Sequence, residues 1–143
     1  MPQHTQIQGK MKTNETELRV FYADTDQGGV VYYANYLKWF EIGRTEVLRQ
    51  NGFNYADYEN KNIIAPVVEV KCNYKQPAKY NDLIIIKTTI INIGNSSIKF
   101  NYKIIRKKDN ELLAEGYTVN VFVDKKAMKS TKIPDKLRKA LQN

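Results

Sequence analysis

From residue 68 onward the chain is written largely in period two. Val68, Val70, Cys72 and Tyr74 alternate with Glu69, Lys71, Asn73 and Lys75. Ile98, Phe100, Tyr102 and Ile104 alternate with Lys99, Asn101 and Lys103, and Tyr117, Val119, Val121 and Val123 alternate with Thr118, Asn120 and Phe122. Successive side chains of a strand point to opposite faces, so each run predicts a strand with one apolar row turned to a core. Between the first two lies LIIIKTTIINI, residues 83–93, apolar enough for the middle of a sheet. The connections at Gly94-Asn95-Ser96 and Lys108-Asp109-Asn110 are too short for helical crossovers and predict antiparallel neighbours.

Ahead of these strands the spacing predicts one helix of about sixteen residues. Asn35 is placed to cap it, and Gly52 after Asn51 to end it. At 100° per residue Tyr36, Leu37, Phe40, Gly43, Val47 and Leu48 share an arc with Trp39 at its edge, while Lys38, Ile42, Thr45 and Arg49 lie opposite. A helix of about 24 Å with one apolar arc, set against strands with one apolar face each, predicts an α+β domain: a long central helix wrapped by a curved antiparallel sheet. Arg44 falls inside the apolar arc, as a snorkelling side chain or an ion partner of Glu41. Leu18, Val20 and Tyr22 suggest a short first strand. Residues 1–16 read as a poorly ordered arm, 17–135 as the domain, and 136–143 as a short basic tail, with Pro134 opening a short basic helix on the outside.

Several classes of protein are excluded. A length of 143 residues suits one domain. One cysteine and one histidine rule out a disulfide framework and a zinc site, which needs about four such ligands. No apolar run has signal-peptide or membrane-spanning length, so a soluble cytoplasmic protein without integral membrane association is expected. The net charge of +8 suggests nucleic acid until it is divided: residues 125–143 carry +6 of it and the rest only +2, so no nucleic-acid partner is expected.

The stretch YADTDQGGVVYYAN, residues 22–35, breaks every periodicity around it. It leads into a helix N-terminus, where unpartnered N–H groups and the positive end of the peptide dipoles can hold a carbonyl oxygen that is becoming an oxyanion. Adjacent glycines let a substrate approach the backbone. Asp26 beside that point can act as a nucleophile or as a general base toward water, without a metal. Each residue also has a plainer reading. Asp24 and Asp26 can form turns, Tyr32, Tyr33 and Tyr36 can pack, Cys72 can be a small buried hydrophobe, and Glu41 and Glu46 can form helix-surface ion pairs.

The run RVFYADTDQGGVVYYANYLKWFEIGRTEVLR, residues 19–49, resembles the signature of the hot-dog-fold acyl-CoA thioesterases of the 4-hydroxybenzoyl-CoA thioesterase type, above all their Tol-Pal-associated bacterial branch. The motifs that carry the likeness are Asp-Thr-Asp, Gly-Val-Val, Asn-Tyr and Phe-Glu-x-x-Arg-x-Glu in one register. The resemblance implies a hot-dog fold and hydrolysis of an acyl-CoA thioester. Asp26 would be the essential carboxylate, and backbone N–H near Tyr33 would hold the carbonyl oxygen. Gly29, Val30, Val31, Tyr32 and Asn35 would form the substrate-binding loop. It also implies a homodimer built by continuing the sheet, paired again into a homotetramer, and no cofactor beyond the coenzyme A of the substrate. Glu41, Arg44 and Glu46 match the family's helix pattern as structural or subunit-contact residues. One position departs: the Tol-Pal branch commonly has His where this chain has Tyr33, so no imidazole is available there. The competing reading is a hot-dog protein that binds acyl-CoA or acyl-carrier protein without turnover.

Overall fold

Pairing register, more than hydropathy, decides which side chains of this chain are inside. In chain order the elements are β1 (Thr5–Gln6), β2 (Thr13–Arg19), α1 (Ala34–Gln50), α2 (Tyr55–Glu59), β3 (Ile63–Ile64), β4 (Val67–Tyr74), β5 (Leu83–Ile93), β6 (Ser97–Arg106), β7 (Glu111–Val121), β8 (Val123–Asp124), β9 (Lys129–Ser130) and α3 (Asp135–Gln142). The computed structural model describes residues 5–6 and 11–142. Its main sheet is antiparallel, in the order β1-β5-β6-β7-β4, with β2 also pairing β5. A small sheet, β3-β8-β9, closes one end.

Strand β6 turns Ile98, Phe100, Tyr102 and Ile104 to the core, as its alternation predicts. Opposite them on β7 stand Asn120, Thr118, Gly116 and Ala114. Directly paired residues share a face, so the apolar row expected inside, Tyr117, Val119 and Val121, is only half-buried, while Thr118, Asn120 and Phe122 are fully buried. The inward polar groups find partners in part: the Tyr102 and Thr118 hydroxyls lie 2.6 Å apart, and the Asn120 amide nitrogen donates to the Ala65 carbonyl at 2.8 Å, while Asn120 Oδ1 has no partner among the described residues. A satisfied hydroxyl pair removes most of the cost of burying Thr118.

Helix α1 buries Tyr36, Trp39, Phe40, Gly43, Val47 and Leu48. Leu37, expected inside, is exposed, and Trp39, expected at the edge, is buried. Phe40 stacks flat on Tyr102 at 4.2 Å between centroids, and Gly43 sits so close to β5 that a Cβ there would lie 2.0 Å from Thr88 Oγ1. The Arg44 guanidinium faces the hydroxyls of Tyr55 and Tyr102, which gives this charge within the apolar arc polar partners in its own chain. Glu46 is ion-paired with Arg49 on the surface, the plainer of its two readings.

The expected wrapping is not found. The sheet is open, with β4 at one edge and β1 and β2 at the other, and α1 packs chiefly on β5 and β2, with β6 behind them. The helical part is divided. Gly52 at φ +85° reverses the chain, with its N–H on the Arg49 carbonyl and that of Phe53 on Leu48, and α2 follows separately. Beyond the reach of α1, β4 leaves Val68 61% and Val70 46% exposed. Cys72, expected to be a small buried hydrophobe, is only half-buried for the same reason.

Both ends differ from expectation. β2 begins at Thr13, inside the segment read as an arm, and Asn14 is buried; residues 1–4 and 7–10 lie outside the described residues. The basic tail belongs to the core: Ile133, Leu137 and Leu141 are buried, the two leucines one helical turn apart. Arg138 donates to the carbonyls of Gly94 at 2.6 Å and Asn95 at 3.1 Å, which locks α3 onto the β5–β6 turn.

Candidate active site

The loop between β2 and α1 is built almost entirely by its own backbone. Phe21 N–H donates to the Asp24 carboxylate at 3.0 Å, so this acid does act as a turn former, and Tyr22–Asp24 makes one 3-10 turn. The next residues fold into a tight hairpin. Asp26 N–H donates to the Val30 carbonyl at 2.8 Å, and Gly29 N–H to the Asp26 carbonyl at 3.1 Å. Gly29 has φ +80°, a conformation that costs other residues strain. Asp26 opens this turn, and its Oδ1 accepts from Gly28 N–H at 2.8 Å. Its side chain is exposed, and Oδ2 has no partner among the described residues.

Two ties hold the hairpin to the body. Val30 bridges to Lys79, and Val31 N–H donates to the Ala78 carbonyl at 2.9 Å. The Asp24 carbonyl accepts from Tyr32 N–H at 3.0 Å and from the Asn35 side-chain amide at 2.8 Å. Asn35 therefore does not cap α1. It lies in the first turn and reaches back to the loop, and Tyr33 occupies the cap position with no side-chain cap bond. The backbone N–H groups of Tyr33 and Ala34 donate to no acceptor among the described residues. They form the positive end of a 17-residue helix.

Beside this helix start lies a cleft of about 310 Å³ walled by Val30, Val31, Tyr33, Tyr36, Tyr74 and Pro77. Tyr33 packs on Tyr74 at 4.8 Å and Tyr36 on Tyr74 edge-on at 5.0 Å. The Tyr36 hydroxyl accepts from Ala78 N–H at 3.0 Å, so this tyrosine is a buried packing residue as well as a wall of the cleft. Tyr32 and Tyr33 are exposed. Of the loop residues named from the sequence, Val30, Val31 and Tyr33 line the cleft, whereas Asp26, Gly29, Tyr32 and Asn35 do not. Asp26 is tied to the lining through its hairpin bond to Val30. Two other grooves, about 430 Å³ on the outer sheet face and about 680 Å³ beside Arg19 and Arg106, lack both the hairpin and the helix start.

The groups around the cleft are mostly protonated at neutral pH. Burial pushes the Cys72 thiol and the Tyr36 phenol up, and burial together with the neighbouring Cys72 pushes Tyr74 up to about 12. A neutral thiol is a poor nucleophile, which leaves the carboxylate and the free N–H groups as the candidate reacting groups. Among the described residues no group of His, Cys, Asp and Glu is placed to hold a metal ion, and no helix is long and apolar enough to cross a membrane. Sequence reasoning missed Tyr74 and Pro77. Tyr74 read as one more inward residue of a strand, and nothing local signals that its strand runs past the helix start.

The thioesterase-like superfamily model matches residues 20–141. The putative acyl-CoA thioesterase YneP of Bacillus subtilis is 36% identical over 130 residues, covering 91% of each chain. The acyl-CoA thioester hydrolase YbgC of Escherichia coli O6:H1 is 35% identical over 117 residues, covering 82% of this chain and 87% of that one. Among solved structures, the DHNA-CoA thioesterase of Staphylococcus aureus superposes with a TM-score of 0.81 at 32% identity, over 84% of this chain and 80% of that one.

Proposed function

This chain belongs to the thioesterase-like superfamily as a hot-dog-type enzyme related to the YbgC branch, and from that premise we propose how it hydrolyses acyl-CoA thioesters. The thioester carbonyl sits at the start of α1, with its oxygen on the unoccupied N–H groups of Tyr33 and Ala34. The acyl group lies in the cleft against Val30, Val31, Tyr33 and Tyr36. Asp26 supplies the reacting oxygen: its carboxylate attacks the carbonyl carbon and expels coenzyme A thiolate, or it removes a proton from the water that attacks. In the first route the mixed anhydride is then hydrolysed, which restores the carboxylate. Gly29 sets the shape of the hairpin, Tyr32 covers its outer side, and Asn35 holds loop and helix together. The carrying observation is the pairing of an exposed carboxylate on a rigid hairpin with an uncapped helix N-terminus.

Replacing Asp26 by Asn tests this reading, because the amide keeps the Gly28 hydrogen bond but has no base or nucleophile. The expected result is a loss of more than about 100-fold in free-thiol release from acyl-CoA, with unfolding unchanged. Near-normal turnover would sink the assignment.

The same reading places the enzyme in the cytoplasm as a homodimer formed along β4, with two dimers pairing as a tetramer. The outer edge of β4 has no neighbour among the described residues and exposes Val67, Val68 and Val70, a combination that invites another strand. A second copy added there would lie next to the cleft, since Tyr74 belongs to both the edge strand and the cleft wall. Light scattering that gives the mass of one chain at micromolar concentration would overturn it.

A further inference from the structure

The oxyanion position described above has no cap of its own, yet its first peptide is held from outside. The Tyr74 hydroxyl donates to the Tyr33 carbonyl at 3.1 Å, across 41 residues of sequence. That carbonyl and the Ala34 N–H belong to one peptide unit. A hydrogen bond accepted by the oxygen of a peptide polarises the whole unit and strengthens its N–H as a donor. The ring of Tyr74 also packs against Tyr33 and Tyr36, so both the angle and the distance of the hydroxyl are fixed. The phenol stays protonated at neutral pH, with its burial and the neighbouring Cys72 holding it up to about 12.

We propose that Tyr74 is a positioning residue for thioester hydrolysis: through the Tyr33 carbonyl it orients and polarises the Tyr33–Ala34 peptide, so that Ala34 N–H meets the developing oxyanion. Tyr74 itself does not touch the reacting atoms in this arrangement. The inference rests on the thioesterase reading.

The test compares the wild type, Tyr74→Phe and Asp26→Asn in the full chain, with kcat and KM measured separately for one acyl-CoA and Kd measured for a non-hydrolysable thioether analogue of it. Tyr74→Phe keeps both ring contacts and removes only the hydroxyl. The expected result is a fall in kcat of about tenfold, below the ~100-fold or more that loss of a direct oxyanion donor brings, with KM and the analogue Kd unchanged. A second variant, Tyr74→fluorotyrosine, keeps the shape and makes the hydroxyl a stronger donor; it is expected to show at least the wild-type kcat. Unchanged kcat in Tyr74→Phe overturns the inference, as does a loss shared with analogue binding or a fluorotyrosine variant that stays at the Phe level. If Asp26→Asn abolishes turnover while Tyr74→Phe does not change it, only the Tyr74 role fails. If Asp26→Asn retains turnover, or the wild type hydrolyses no acyl-CoA, the thioesterase reading fails and this inference with it.

Discussion

The Asn35 side-chain amide donates to the Asp24 backbone carbonyl at 2.8 Å, so the first turn of α1 grips the loop that precedes it. The same carbonyl also accepts from Tyr32 N–H. Asp26 stands two residues further on, and these two hydrogen bonds tie its segment to the helix start.

Asn35→Ala should therefore weaken turnover more than stability. The carbonyl keeps one of its two partners, so the expected cost is about 1 kcal/mol, a fall in Tm of roughly 3–5 °C. Because the loop can then drift from the helix, kcat should fall by about tenfold or more. Calorimetry and steady-state hydrolysis on one preparation check this, and a loss of activity no larger than the loss of folded protein would count against it.

The two glycines of the hairpin should answer differently to alanine. At Gly29 a Cβ meets nothing within 4 Å, but φ is +80°, so Gly29→Ala is expected to cost about 1–2 kcal/mol through backbone strain. At Gly28 the backbone tolerates a side chain, but its Cβ would lie 3.2 Å from Asp26 Oδ1. Gly28→Ala should leave the urea midpoint nearly unchanged while lowering kcat by turning the carboxylate. Equal effects of the two variants on stability would contradict this division.

Gly43 allows α1 to lie on β5. An added Cβ would meet Thr88 Oγ1 at 2.0 Å and Ile86 Cγ2 at 2.9 Å. Gly43→Ala is expected to destabilise by about 1–3 kcal/mol, as overpacking does. Thr88 is buried, and its hydroxyl has no hydrogen-bond partner among the described residues. Adding Thr88→Ala should recover much of the loss by opening space and removing that orphan group. Additive losses in denaturant unfolding would show that the clash lies elsewhere.

Alkaline stability follows from the core phenols. Burial raises Tyr55 to about 12, with the nearby Arg44 opposing the shift, and raises Tyr102 in the same direction. A phenol whose folded pKa exceeds its unfolded value of about 10 favours the folded state fully below pH 10. That contribution is lost as pH climbs from about 10 through about 12, because the unfolded chain ionises first. Thermal stability should be flat from pH 7 to 9 and fall steeply above 10, with Tyr55→Phe moving the alkaline midpoint upward. Tyrosinate absorbance tracked alongside circular dichroism measures it, and ionisation of all ten tyrosines before any unfolding would refute it.

Local pattern was enough to read much of this protein. The period-two run from Ile98 specified β6, the apolar run 83–93 specified β5, the short connections specified antiparallel neighbours, the 3.6-residue spacing specified α1, and Gly52 marked its end. The Asp-Thr-Asp and Gly-Val-Val motifs before Asn35 pointed to a thioesterase, and the family match over residues 20–141 agrees. These features are legible because they depend on neighbours within a few residues.

Tertiary structure decided what depends on pairing over long separations. Register with β6 turned Thr118 and Asn120 inward against their hydropathy, because a strand's two faces follow its partner. Packing drew Leu137 and Leu141 into the core from a segment whose charges suggested a tail. At the site, Asn35 became a tie instead of a cap, and Tyr74, 41 residues from Tyr33, came to hold the first peptide of the helix. Sequence alone supplied a carboxylate and a helix start; their geometry combines short bonds within the loop with ties from Ala78 and Tyr74, far along the chain, and only folding brings those distant ends to the site.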